Sequence, residues 1–295
     1  MPTRSPIEVQ GHRGACGLLP ENTLPSFEIA LDLGVTSIET DVLLTRDDQV
    51  VIFHDFHITN RVCSVLLADS KLAVRSLTLE QVRTFHVDGR AKPAPMPLAE
   101  RFARERRIDP YGIPTLTDFF DFVADYAGAL GEQVGKTAGQ RVRAQSVILD
   151  VELKHVPFHA HLVGAATLER LVAQAMRQCG VLERARVRSF DHRSVRAIKQ
   201  LEPSLRTAIL IYETTPARIA PLLEAARAEL YCPDYLFVDA EVVGQVHAAG
   251  GRIIPYTVNE PSVWEPLFAW GVDGVTTDYP DRVLTWLAER AMAVM

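Results

Sequence analysis

Short runs of β-branched and aliphatic residues alternate along this chain with longer stretches in which apolar residues recur every three or four positions. The first pattern reads as strand and the second as amphipathic helix. Strands are expected at Ile7–Gly11, Ser37–Val42, Val147–Leu153, Arg186–Phe190, Arg206–Ile211, Tyr235–Val238, Arg252–Val258 and Gly274–Thr276. Most are too apolar to have one wet face, which fits parallel strands covered on both sides. Asn22 is expected to cap a helix running from about Thr23 to Gly34, with Leu24, Phe27 and Leu31 on one face. Thr115-Leu-Thr-Asp118 opens another, through Phe119, Phe122 and Val123. Further helices are expected over Thr167–Cys179, Arg193–Leu201, Thr215–Ala228, Ala240–Ala249, Ser262–Trp270 and Pro280–Ala293. Strand–helix alternation of this length predicts a (β/α)8 TIM barrel, distorted, as a single domain over residues 1–295.

Three stretches depart from that rhythm. Gln49–His54 follows the second strand after only Thr45-Arg-Asp-Asp48, too few residues for a parallel crossover, so the two must form an antiparallel hairpin. A turn centred between Asp47 and Asp48 puts His54 opposite Asp41. Residues 56–112 hold a capping-box start, Thr78-Leu-Glu-Gln81, and a Pro- and Arg-rich stretch from Arg90 to Arg107. They read as a subdomain inserted at the barrel mouth. Gly128–Ser146 is polar and reads as a loose surface excursion. Within it, Gly131-Glu-Gln-Val-Gly-Lys-Thr137 is similar to a phosphate-binding P-loop, but has three residues between its glycines where four are required, and follows a helix instead of a strand.

Glu39 and Asp41 lie two apart in an expected strand and so share a face. Neighbouring Ile38, Val42 and Leu43 argue that this face is buried, where two carboxylates repel each other unless a hard cation sits between them. Glu152, at the end of a later strand, supplies a third carboxylate and shares parity with Lys154. Oxygen-only ligands suit Mg²⁺ or Ca²⁺ rather than zinc, so one divalent cation is expected. His12, in Gly11-His-Arg-Gly14, and His54, in Val50-Val-Ile-Phe-His-Asp55, add two acid–base groups near the same rim. Arg13 is a natural bidentate phosphate ligand and Lys154 a point charge for the same oxygens. Two histidines, a metal cluster and two cations are what phosphate ester cleavage requires.

Composition narrows the setting. A net charge of −6 and a pI near 5.9 argue against nucleic acid as partner, leaving a small-molecule substrate. No apolar run is long enough for a membrane span, and the N-terminus has no apolar core of a secretory signal. Cys16, Cys63, Cys179 and Cys232 are scattered and read as reduced thiols of a cytoplasmic protein, with Cys16 read as packing.

Gly11-His-Arg-Gly14, Pro20-Glu-Asn-Thr23, Glu39-Thr-Asp-Val42, Val50-Val-Ile-Phe-His-Asp55, Ile113-Pro-Thr-Leu116, Val151-Glu-Leu-Lys154, Ser189-Phe190, Thr257-Val-Asn259 and Thr276-Thr-Asp-Tyr-Pro280 resemble, in order, the glycerophosphodiester phosphodiesterase family. The resemblance implies hydrolysis of glycerophosphodiesters to glycerol 3-phosphate and an alcohol such as choline or ethanolamine. It implies a metal at Glu39, Asp41 and Glu152, with His12 and His54 as acid–base pair and Arg13 and Lys154 on the phosphate. The family's route is attack by the neighbouring glycerol hydroxyl, giving a cyclic phosphate that water opens. Many relatives carry Trp where this chain has Tyr256, an aromatic change that bears on substrate fit. His155, His159 and His161 form an unusual cluster after the third strand, read as a solvated loop at the mouth in preference to a contact for the head group. Ser189-Phe-Asp191 is assigned no chemistry. Two alternatives stay open: a phospholipase D-like lyase that stops at the cyclic phosphate, which needs an apolar membrane-facing rim the insertion lacks, and a non-catalytic phosphodiester-binding barrel.

Overall fold

The computed structural model describes residues 6–59, 62–64, 71–87, 96–155 and 167–295. Its strands are β1 (Glu8–Gly11), β2 (Ser37–Leu44), β3 (Val50–Ile52), β4 (His57–Ile58), β5 (Cys63–Ser64), β6 (Leu72–Ala73), β7 (His86–Val87), β8 (Ile148–Leu153), β9 (Ala185–Ser189), β10 (Arg206–Ile211), β11 (Leu230–Pro233), β12 (Arg252–Ile253) and β13 (Gly274–Thr277). Eight of them run parallel in the order β12-β11-β10-β9-β8-β2-β1-β13. Asp273 N–H on Ile253 O and Thr276 N–H on Pro255 O, both 2.9 Å, link the two end strands into a ring. Helices flank it, so the expected TIM barrel is the observed fold.

Alternation within each strand divides the barrel's two faces. Outward residues such as Val9, Ile38, Val42, Val151, Val187 and Val275 pack under the helices. The lumen itself has two halves. Ala208, Leu210, Leu230, Cys232 and Ile254 make one side apolar. Glu8, Gln10, Asp150, Arg186 and Arg188, all buried, make the other side charged. Arg186 donates to Glu8 Oε1 and to Asp150 Oδ2, both at 2.6 Å, and Arg188 Nε donates to Asp150 Oδ1 at 2.9 Å. Gln10 donates to Asp150 Oδ2 at 2.7 Å and accepts from Arg188 and Thr276. Two acids and two guanidiniums thus balance in a fully hydrogen-bonded set, the condition under which buried charge is tolerated.

Several expected elements shift. The sixth strand is Leu230–Pro233, not Tyr235–Val238. Pro233 ends the pairing, and the Asp234 side chain accepts from Leu236 N–H at 3.0 Å, turning Tyr235–Phe237 into a 3-10 turn. The seventh strand is regular only over Arg252–Ile253; beyond it single bonds continue, from Ile254 N–H to Tyr231 O at 3.1 Å and from Tyr256 N–H to Pro233 O at 3.0 Å, on either side of Pro255, which has no N–H to give. The first helix, Leu24–Leu33, is capped by Thr23, whose hydroxyl accepts from Ser26 N–H, and not by Asn22. The helix expected over Thr215–Ala228 spans only Ala220–Ala226.

The β2–β3 hairpin forms, one residue out of the expected register. Leu44 pairs with Val50 and Val42 with Ile52, so Phe53, not His54, lies opposite Asp41. Thr45 N–H closes on Gln49 O at 3.0 Å and Asp48 takes a φ of 57°, a three-residue turn ending in a left-handed residue. An odd loop moves the partner strand by one position.

Beyond β3, two short antiparallel pairs, β4 with β6 and β5 with β7, cover a small core of Ile58, Val62, Val74, Val82 and Val87. The Thr78–Gln81 capping box is present. Part of the stretch from Arg90 to Arg107 lies outside the described residues; its end forms the helix Pro97–Arg106. That helix has no cap of its own. Glu28, on the first helix, accepts from Leu98 N–H at 3.1 Å and Ala99 N–H at 2.8 Å and does the capping from outside.

The stretch Gly128–Ser146 is not a loose excursion. It holds two helices, Ala129–Gln133 and Ala138–Ser146, the second opened by a Thr137–Gln140 capping box. Lys136 of the P-loop-like run ion-pairs with Glu28 at 2.6 Å and Asp32 at 2.8 Å, so its charge is already matched.

Burial pushes the Glu8 carboxyl up, but Arg186 and Arg252 outweigh it and hold its pKa below the usual 4.5. Its stabilising effect is therefore complete above that value and lost as pH falls through the depressed one. Glu8→Gln, which leaves Arg186 short of a partner, should cost about 3–5 kcal/mol in urea unfolding at pH 7. The loss of stability on acidification should also be shallower in the variant; equal pH slopes in the two proteins would remove Glu8 from this role.

Candidate active site

The barrel's carboxyl end is built by four separate segments. In parallel register Asp41 pairs with Glu152 across β2 and β8, and Glu39 stands two residues below Asp41 on the same face. The three carboxylates have oxygens within 4.8 Å of one another and all are buried. The turn after β1 brings in His12 and Arg13. It needs its glycines: at Gly11 a Cβ would sit 2.2 Å from Gly14 O, and at Gly14, with φ of 89°, one would sit 2.4 Å from Ser26 Oγ.

Each carboxylate is held. Arg13 N–H donates to Glu39 Oε2 at 3.0 Å. Asn22 Nδ2 donates to Asp41 Oδ2 at 3.0 Å, and its own carbonyl accepts from Thr40 at 2.8 Å. Lys154 Nζ lies 2.8 Å from Glu152 Oε1 and 3.5 Å from Asp41 Oδ1. Arg13 Nε lies 3.3 Å from Asp41 Oδ2, while its Nη1 donates to Glu21 at 3.0 Å. Burial, with Asp41 beside it, pushes the Glu39 pKa well above the usual carboxylate range. Burial acts on Asp41 too, but Arg13 and Lys154 overcome it and hold Asp41 below that range. A third acid beside two cations leaves one negative charge poorly compensated, and the donors are oxygen only. This set fits a hard divalent cation.

Both histidines are oriented the same way. His12 Nδ1 lies 2.5 Å from Asp278 Oδ1, and His54 Nδ1 lies 2.7 Å from Asp55 Oδ1. A carboxylate on Nδ1 fixes the tautomer and leaves Nε2 for other work. His12 Nε2 is 4.0 Å from Glu39 Oε2. Burial and Arg13 lower the His12 pKa, against the opposing pull of Asp278. Asp278 is in turn held by Asn259 Nδ2 at 2.7 Å, and Cys16 Sγ donates to it at 3.0 Å.

A cavity of about 210 Å³ connects these groups. His12, Arg13, Glu39, His54, Glu152 and Lys154 line one side; Phe190, Leu210, Tyr212 and Tyr256 line the other. Tyr256 OH donates to Ile211 O at 2.8 Å, which fixes the ring, and Phe190 meets it edge-on at 6.0 Å. Every site residue expected from the sequence thus stands on one cavity or on its carboxylate cluster. Asn22, Asp55, Asp278, Asn259 and Arg188 were missed, though all but Arg188 lie in or directly beside motifs quoted above. Phe190 and Asp191, given no chemistry, divide: Phe190 lines the cavity, while Asp191 caps the helix His192–Leu201. His155 is not a solvated loop residue; its Nδ1 meets Ser194 Oγ at 2.6 Å, and Glu169 accepts from that hydroxyl at 2.5 Å. His159 and His161 lie outside the described residues.

A parallel barrel with paired histidines and clustered carboxylates at its carboxyl end is the equipment of a phosphodiester-cleaving enzyme. The chain belongs to the glycerophosphoryl diester phosphodiesterase family, whose model matches residues 12–282. It is 27% identical over 278 residues to a glycerophosphodiester phosphodiesterase of Caldanaerobacter subterraneus, covering 94% of this chain and 96% of that one. It is also 27% identical to a glycerophosphodiester phosphodiesterase of Bacillus altitudinis, with the same coverage. A crystal structure from Silicibacter pomeroyi superposes with a TM-score of 0.80 at 27% identity, covering 100% of this chain and 97% of the other. An Oleispira antarctica phosphodiesterase, solved with the product sn-glycerol-3-phosphate, shares the fold with a TM-score of 0.73 at 21% identity, over 95% and 96% of the two chains. Among the described residues no helix is long and apolar enough to cross a membrane.

Asn22 sits at φ of 59°, which Asn tolerates better than other side chains. Asn22→Ala loses the hydrogen bonds with Asp41 and Thr40 and adds backbone strain, while Asn22→Gly loses only the bonds. In chemical denaturation the alanine variant should therefore be the less stable by about 1–2 kcal/mol. Equal stabilities would mean the strain is relieved elsewhere.

Proposed function

We propose that the protein hydrolyses glycerophosphodiesters to glycerol 3-phosphate and an alcohol, with His12 and His54 as the acid–base pair. The observation that carries this reading is the pair of histidines, each braced by a carboxylate on Nδ1, facing one cavity that also holds the three-carboxylate cluster. Glu39, Asp41 and Glu152 would hold one Mg²⁺ or Ca²⁺. When bound, such a cation lowers the pKa of a hydroxyl and offsets charge on a phosphoryl group.

The chain's own residues do the rest. Arg13 and Lys154 supply fixed positive charge for the non-bridging phosphate oxygens. One histidine takes the proton of the attacking hydroxyl and the other gives one to the departing oxygen; hydrolysis of a cyclic intermediate reverses the two roles. The faces of Phe190, Tyr212 and Tyr256 line the side away from the charges, where the alcohol portion of the diester would lie. Residues 56–112 we take as a subdomain inserted at the mouth beside His54. The four cysteines are scattered along the chain and read as thiols, which suits a cytoplasmic enzyme.

A second reading has one observation in its favour. Phe190 and Tyr212 are exposed at the cavity's edge and Leu236 nearby is 71% exposed, an apolar rim on the side opposite the insertion. A lyase acting on lysolipids and stopping at a cyclic phosphate needs such a rim.

Product analysis with glycerophosphocholine separates these readings. Glycerol 3-phosphate whose release stops with chelator is the expected result, whereas an accumulating cyclic phosphate favours the lyase and tight binding without turnover a non-catalytic barrel. His12→Ala and His54→Ala should each lower kcat by roughly 10²–10⁴-fold while calorimetry still finds one bound Mg²⁺ or Ca²⁺. Near-normal turnover in either variant removes that histidine from the mechanism. Asp41→Asn should weaken cation binding in the same calorimetry.

A further inference from the structure

Cys16 has no part in the chemistry above, yet it stands beside it. The turn after His12 folds back on itself, with Cys16 N–H on His12 O at 3.4 Å, and so brings the two side chains together. Cys16 Sγ is 3.8 Å from His12 Nδ1 and 3.0 Å from Asp278 Oδ1, and that oxygen is 2.5 Å from the same nitrogen. A sulfur, an imidazole nitrogen and a carboxylate oxygen therefore face a common point, and all three residues are partly exposed, so an ion can reach them from solvent. The oxygen-only set at Glu39, Asp41 and Glu152 selects hard cations. A sulfur–nitrogen–oxygen set a few ångströms away selects softer ones and leaves a fourth position for water.

We propose that Cys16, His12 and Asp278 form a second cation site, for a thiophilic divalent ion such as Zn²⁺ or Cd²⁺, and that filling it stops turnover. The arrest rests on the acid–base reading of His12 given above; the site itself does not. The ion displaces the thiol proton to solvent and takes the lone pair at Nδ1. Neutral imidazole carries one proton, so the proton held between Nδ1 and Asp278 must pass to Nε2. Nε2, the nitrogen facing Glu39, then changes from acceptor to donor and takes no proton from substrate. Asp278 exchanges its bonds from His12 and Cys16 for the ion, while Asn259 still holds its second oxygen. Thiolate and carboxylate together neutralise the double charge.

The test compares the full-length protein with Cys16→Ala and Cys16→Ser, in saturating Mg²⁺, with Cd²⁺ as probe. Binding is read from the ultraviolet thiolate-to-cadmium charge-transfer band, which needs no turnover. Inhibition is read with Zn²⁺ and Cd²⁺, each variant normalised to its own uninhibited rate. The expected result is a one-equivalent band in the native protein that both variants lack. The inhibitory concentration should rise by roughly tenfold or more in the variants, and excess Mg²⁺ should not relieve inhibition of the native protein. No band overturns the site. Equal inhibition of all three proteins, or relief by Mg²⁺, overturns it too, because the soft ion then acts at the carboxylates. A band with unimpaired turnover overturns the arrest, and His12→Ala tells separately whether His12 is needed at all.

Discussion

Three acids that cannot comfortably be ionised together at one end of a barrel set the terms for every polar group around them. Burial strengthens their mutual repulsion, because little water screens it. The fold answers with donors from distant parts of the chain: a backbone N–H at Arg13, an amide from Asn22 and an ammonium from Lys154. These make the cluster stable enough to fold and leave it still short of positive charge. A site so arranged is preorganised for a cation and for an anionic substrate bridged to it.

The same logic continues down the lumen. Below the acids, Arg188 and Arg186 face Asp150 and Glu8, and Arg188 also contributes positive charge toward Glu39. The apolar half of the lumen lies across from them, at β10 to β12. This division recurs at the cavity, where charges line one side and aromatic rings the other. A diester has the same two-sided character, an anionic centre with an organic substituent. The polar half is therefore more than a way of filling the barrel; it carries the sidedness of the site down into the core.

Much of this was legible in the sequence because periodicity is a local signal. Strand parity placed Glu39 with Asp41 and Glu152 with Lys154, and apolar runs placed six of the eight barrel strands to within two residues at either end. What failed depended on geometry that composition does not carry. Tyr-Leu-Phe-Val looked like a strand, but Pro233 and the Asp234 side chain end the pairing before it. The hairpin slipped by one because a three-residue turn was not distinguishable from a two- or four-residue one. Asn22 looked like a cap because Asn favours both caps and left-handed turns, and here the second preference won. Asp278 and Asn259 were quoted as motif letters only; their partnership with His12 joins segments some 250 residues apart, which pattern within a window cannot reveal.

Glu28 has a consequence of its own. It clasps backbone amides at Leu98 and Ala99, not side chains, and its other partner is Lys136. The fastening therefore ignores the identity of the residues it grips, and it grips them just where the chain returns to the barrel wall. Side-chain changes at Leu98 and Ala99 leave its two backbone bonds available, while the re-entry point stays pinned by a single acid.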